Sequence, residues 1–287
     1  MSISTVLVFM DGTDSCHTVL KTSFAIGQSL DCHVDVLHVR ADPKNVVPLL
    51  GEGMSVAMIE DMMDVAERDS TERVDKVRSL FKEAVSEFNA AISNQPSGQG
   101  FSVNLIEDMG REDDAVAMYG RLADVIIAPR PTMSSDVSIN LALNAALFET
   151  GRPVLLIPPS FEGEVGGHAA ISWNGSVQSV RAVKAAMTVL QRSKSVSVFV
   201  IENERTSGEG VPELATYLGW HGILCETHTI AGPVASVGSR LLDEVKGVNA
   251  DLLVMGAYTR SRMRQLILGG VTRHILESAE LPVLLAH

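Results

Sequence analysis

Gly269 and Gly270 stand side by side immediately before Val271-Thr272-Arg273-His274-Ile275-Leu276. Two positions without a Cβ ahead of an apolar-periodic run leave bare backbone N–H groups at a helix start, an arrangement that holds anions. Upstream, Leu252-Leu253-Val254-Met255 suits a strand buried on both faces, and Gly256 reads as the residue that turns the chain at its end. Arg260, Arg262, Arg264 and Arg273 lie in or beside this stretch and favour negative charge there. The chemistry expected of Asp251–Thr272 is phosphate binding. Taken alone, Thr272 reads more simply as a helix N-cap.

Ligands of open parallel sheets bind beyond the carboxyl ends of the strands, where strand order reverses. Asn174-Gly175-Ser176, Ile201-Glu202 and Met255-Gly256 fall at such predicted ends. With the Gly269-Gly270 step they would surround one ligand, its purine ring against Ile201 and Met255 and its phosphates on the N–H groups of Gly270, Val271 and Thr272. No serine, histidine and acid arrangement stands out for nucleophilic catalysis. Cys32, His33 and His38 lack the spacing of a tetrahedral metal site, so no metal ligand is expected. There is no G-x-G-x-x-G and no G-x-x-x-x-G-K-[ST], which removes the dinucleotide and P-loop readings. Asp11-Gly12-Thr13-Asp14-Ser15 lacks the leading serine and paired glycines of an ATP pyrophosphatase loop.

The elements that must position these residues alternate. In the first half, strands are predicted at Thr5–Met10, Val34–Val39, Phe101–Glu107, Asp124–Ala128 and Pro153–Ile157. Helices are predicted at Cys16–Leu30, Ser55–Ile92 (one long helix or two abutting ones), Arg111–Arg121 and Val137–Thr150. After Pro158–Gly167, read as a linker, the pattern restarts with a strand at Ala169–Trp173. VLVFMDGTDS answers AAISWNGSVQS, LADVIIAPRP answers NADLLVMGAY, and GRPVLLIPP answers ELPVLLAH. The chain therefore reads as an internal duplication of one α/β unit, with domains at 1–160 and 168–287. Each copy is expected to hold a roughly five-stranded parallel sheet flanked by helices, the copies being joined about a pseudo-twofold through their final strands. In the first copy Pro129-Arg130-Pro131 removes two N–H donors where a phosphate loop would need them, so at most one ligand site per chain is expected.

Composition narrows the class. A length of 287 residues suits two domains. The 46% of hydrophobic residues come in runs too short for a membrane span. The start MSISTVLVFMDG has no basic n-region, so a cytoplasmic location is expected. Three widely spaced cysteines read as reduced thiols. The net charge of −12 is lopsided: residues 1–160 hold 12 Lys+Arg against 23 Asp+Glu, and residues 161–287 hold 11 against 12. An acidic first half repels nucleic acid and acidic lipid, so neither is expected as a partner.

V-x-x-D-G at the first turn, a strand ending VLHVR, and LLVMGAY ahead of LGGVTRHIL together resemble the universal stress protein family in its tandem form. The resemblance covers nearly the whole chain, more loosely between Asp42 and Gly100. It implies two Rossmann-like domains of the adenine nucleotide alpha hydrolase type. In one branch of the family it also implies ATP binding through glycine, two residues, glycine, nine residues, glycine and a hydroxyl residue. Gly256 and Gly269 match the first and third glycines, while Thr259 stands at the second and Gly270 at the hydroxyl position. Asn174 replaces the family's aspartate at the first turn. The expectation is a stress-response module, regulatory or protective, that binds ATP or AMP, with or without Mg²⁺, in its second domain and is at most a slow ATP hydrolase. The alternative is a protein-interaction module that binds no nucleotide and works through its acidic first domain and the helix Ser55–Ile92. Both readings leave a protein partner and a homodimer open.

Overall fold

A computed structural model describes residues 3–13, 15–41, 56–96, 100–132, 137–202, 210–231, 237–257 and 270–287. In chain order the first half forms β1 (Thr5–Met10), α1 (Ser15–Leu30), β2 (His33–Ala41), α2 (Val56–Phe88), β3 (Ala91–Ile92), β4 (Ser102–Gly110), α3 (Glu112–Gly120), β5 (Val125–Pro129), α4 (Val137–Glu149) and β6 (Val154–Ile157). The second half forms β7 (His168–Trp173), α5 (Val177–Leu190), β8 (Ser195–Glu202), α6 (Val211–Trp220), β9 (Glu226–Ala231), α7 (Val237–Gly247), β10 (Leu252–Gly256), α8 (Gly270–Ser278) and β11 (Val283–Ala286).

The chain packs as two compact units whose limits differ from those of the sequence repeat. Ser4–Pro129 with α4 makes the first unit; Gly151–His287, with Arg130 to Thr132, makes the second. The first unit holds the strand order β3-β4-β2-β1-β5, every pair parallel. Its central strands are continuous apolar runs because helices cover both faces. Phe24 of α1 sits at the centre of an aromatic cluster, with Phe81, Phe88 and Phe101 at 6.1, 5.9 and 5.8 Å in edge-to-face contact. This cluster ties the long helix α2 to α1. The expected helix to Ile92 stops short: Asn89 takes a left-handed φ of 48°, and Ala91–Ile92 turns into an edge strand beside β4. Helical spacing continues in the sequence, but Ile92 is 65% exposed, so no buried face rewards a further turn.

The second unit holds the order β6-β11-β10-β7-β8-β9, parallel except for β6. β6, the last strand of the first copy in sequence, runs antiparallel to β11 with Leu155 opposite Leu284. Arg130 also works in this unit. Its backbone N–H donates to Ile157 O (2.8 Å), and its Nη1 donates to Leu276 O (3.1 Å) and Glu277 O (2.7 Å). A guanidinium thereby closes the last turn of α8, where carbonyls lack intrahelical donors and cations are favoured.

The two units carry matched devices. Asp124, just ahead of β5, accepts the N–H groups of Ser4 (2.8 Å) and Thr5 (3.1 Å). Asp251, just ahead of β10, accepts those of Gly166 (2.8 Å) and His168 (3.1 Å). Each carboxylate fixes the register of its unit's central strand pair.

An ion pair pins α2 to β4. Arg78 Nε and Nη2 donate to the two oxygens of Glu107 at 2.7 and 2.8 Å. The hydrogen bonds from Arg78 hold the Glu107 carboxyl below its ordinary range, against an opposing effect of burial. A carboxyl depressed in the folded state adds stability above its unfolded pKa of about 4.3 and loses it as pH falls through the folded value. The stability gap between the wild-type protein and Glu107→Gln, read as urea midpoints, should therefore be largest near neutral pH and shrink below about pH 4. A gap that stays constant from pH 7 to pH 3 would show that the pair contributes nothing through its charge.

Candidate functional site at the carboxyl edge of the second unit

The order β10-β7-β8 places the strand-order reversal of the second unit at β7, with later strands laid on both sides of it. Register aligns Met255 with Ser172, and Trp173 with Val200. The residues one step on, Gly256, Asn174 and Ile201, therefore emerge along one edge. α8 crosses back from β10 to the parallel β11, so it starts at this same edge. The turns at Asn174, Ile201 and Gly256 thus lie along one edge of the sheet.

Asn174 is half-buried, and its Oδ1 accepts the Ser176 N–H at 3.1 Å, closing an Asx turn. Gly175 has φ +70°, and a Cβ on it would meet nothing within 4 Å, so the turn is open. The Ser176 hydroxyl caps α5 by accepting the Ser179 N–H at 3.1 Å. Gly256 departs from the expected reason for a glycine. Its φ is not positive; a Cβ there would instead lie 2.5 Å from Ser179 N and 2.7 Å from the Gln178 carbonyl carbon. The missing side chain makes room for the first turn of α5 against the end of β10.

α8 begins at Gly270, which is exposed and has open space where a Cβ would be. The N–H groups of Gly270, Val271 and Thr272 belong to the first turn and lack intrahelical acceptors. Thr272 is the third residue of the helix and buried, so the N-cap reading is replaced by a role inside the first turn. Met255 is 4% exposed and belongs to the core, which limits it to a floor beneath the edge. Ile201 lies in β8, and only its backbone is described. Arg260, Gly269 and Thr259 lie outside the described residues. His274 packs on α7, where a Cβ on Gly238 would come within 2.9 Å of the histidine's own Cβ.

The corresponding turn of the first unit is closed. Asp11 is 3% exposed, and its Oδ1 accepts the Thr13 N–H (2.8 Å), the Thr13 hydroxyl (2.7 Å) and the Cys16 thiol (3.0 Å). Burial, and then the charge of Asp11, push the Cys16 thiol far above its ordinary value, so it is not a nucleophile. Gly12, at φ +80°, lies under α2: a Cβ there would fall 2.7 Å from the Cβ of Arg73. The long helix α2 packs directly over this turn.

One arrangement escaped the sequence. His33 Nδ1 pairs with Ser102 Oγ at 2.8 Å, and its Nε2 pairs with Asp35 Oδ1 at 3.2 Å. Asn104 Nδ2 donates to the same carboxylate oxygen at 3.0 Å. The four residues come from two strands about 70 positions apart, joined by the register His33↔Ser102, which no local motif reveals. Ser102 is 5% exposed and stands at the amino end of its strand, so its hydroxyl is buried in the sheet. The second unit repeats the pairing as His168 Nε2 with Ser197 Oγ at 3.0 Å, which marks a cross-strand device of the sheet. Among the described residues no group of three His, Cys, Asp or Glu could hold a metal ion, and no helix is long and apolar enough to cross a membrane.

Parallel strands, crossover helices and a glycine-framed edge define an α/β protein of Rossmann-like type. Residues 201–287 match the model of the universal stress protein family. Over its full length the fold is similar to that of a universal stress protein from Archaeoglobus fulgidus, at 14% identity and a TM-score of 0.66, covering 100% of this chain and 99% of that one. A functionally unknown protein from Pseudomonas aeruginosa PAO1 follows at 15% identity and a TM-score of 0.60, with 99% and 92% covered. A putative universal stress protein from Pseudomonas aeruginosa UCBPP-PA14 gives 15%, 0.56, 99% and 93%. No curated sequence matches the chain.

Proposed function

We propose that the second unit binds an adenine nucleotide, ATP or AMP, and that the protein acts in the cytoplasm as a regulatory or protective module of the stress response. The observation that carries this reading is the contrast between the two equivalent turns. Gly12 is covered by Arg73 of α2, whereas Gly175 is open and shares its edge with the first turn of α8. Phosphates would take the N–H groups of Gly270, Val271 and Thr272, helped by Arg260, with Gly269 framing the step. Asn174 and Gly175 would border the ribose, and Ile201 the base. Mg²⁺ would ride on the phosphates, since Asn174 gives the turn an amide where a carboxylate would be a ligand. The same amide cannot take a proton from water, so hydrolysis would be slow at most.

The test is purification without added nucleotide, followed by acid extraction and mass spectrometry, with calorimetry using ATP and AMP at millimolar concentration. Co-purified nucleotide or a measured affinity supports the reading; an empty protein that binds neither overturns it. The second reading, an interaction module that ignores nucleotide, is favoured by Met58, Met62 and Val65, exposed at 53, 41 and 65% on α2. A pull-down that depends on these three residues and is indifferent to ATP would single it out.

A further inference from the structure

We propose that the indole N–H of Trp173 is a ligand donor of the second unit, directed at the base or ribose of the bound nucleotide; this rests on the nucleotide reading above. Trp173 ends β7, immediately before Asn174. The residue is only 9% exposed, and its Nε1 is buried with no hydrogen-bond partner. Buried indoles ordinarily find an acceptor, because an unpaired buried N–H has lost its hydration without recompense.

The surroundings say which part of a nucleotide supplies the acceptor. Trp173 is level with Val200, so the indole stands at the ligand edge, one step before Ile201. A Cβ on Gly210, the N-cap of α6, would lie 3.8 Å from Nε1, which sets the N–H against the start of the helix that follows β8. β7 lies between β10 and β8. The anion-binding N–H groups of α8 follow β10, on one side of β7, and Gly210 follows β8, on the other. A nucleotide with its phosphates on α8 therefore carries its sugar and base across β7 toward Trp173. Ring nitrogens and ribose oxygens accept hydrogen bonds, so the donor selects a polar heterocycle over an apolar ring of the same size.

The chain has two tryptophans, and Trp220 is 85% exposed. Trp220→Phe leaves Trp173 as the single indole reporter. ATP titrated into this variant is expected to shift or quench the emission, saturating at the Kd measured by calorimetry. Trp173→Phe keeps the ring and removes the N–H, and is expected to weaken ATP binding about 5- to 10-fold. Heat of binding with unchanged emission and unchanged Trp173→Phe affinity would overturn the donor role while leaving the nucleotide reading intact. No heat of binding in the wild-type protein would overturn both. Should Trp173→Phe fail to fold by circular dichroism, the emission titration alone decides.

Discussion

Replacing Gly270 with glutamate is expected to abolish nucleotide binding while leaving the fold as stable as before. Gly270 opens α8, is exposed, and would meet no atom within 4 Å if given a Cβ, so the new side chain displaces nothing. A carboxylate in the first turn is favoured by the helix dipole by about 0.3–1 kcal/mol, so the melting temperature should hold or rise slightly. The same charge sits where phosphates would bind. Two like charges about 4 Å apart cost roughly 4 kcal/mol at an effective dielectric of 20, and even half of that lowers affinity more than tenfold. Calorimetry with ATP and a thermal melt on one sample separate the two effects. Unchanged affinity would place the ligand elsewhere.

Gly256→Ala should do the reverse, damaging the fold first and binding as a consequence. Its Cβ would stand 2.5 Å from Ser179 N and 2.7 Å from the Gln178 carbonyl carbon, both backbone atoms that cannot rotate aside. Overpacking of this kind costs about 1–3 kcal/mol. The first turn of α5 must retreat, taking with it the Asn174–Ser176 turn that borders the candidate site. A melting temperature several degrees below wild type, with Gly270→Ala as an unperturbed control, is the expected result. Wild-type melting of Gly256→Ala would show that α5 has room to spare.

These two glycines also mark how far the sequence could be read. The Gly269-Gly270 step before an apolar-periodic run announces a helix start, and the helix does begin at Gly270. Local spacing also revealed the alternation of strands and helices, because those signals lie within single elements. Gly256 was legible as a needed glycine for a mistaken reason: a turn is a local property, whereas the approach of α5 belongs to packing. Arg73 over Gly12 and Ser102 beside His33 were invisible for the same cause, since their partners lie more than 60 residues away in sequence. The end of α2 was misjudged because helical spacing runs on past the point where the aromatic cluster around Phe24 stops burying it.

β6 and Arg130 bear on where the chain could be divided. Both lie in the first repeat of the sequence, yet one supplies the edge partner of β11 and the other closes α8 within the second unit. A gene split at the repeat boundary would encode a second product with an unpaired sheet edge and bare helix carbonyls, open to mispairing with its own kind. The second unit is therefore no free-standing half of the sequence: it depends on residues that precede the repeat boundary.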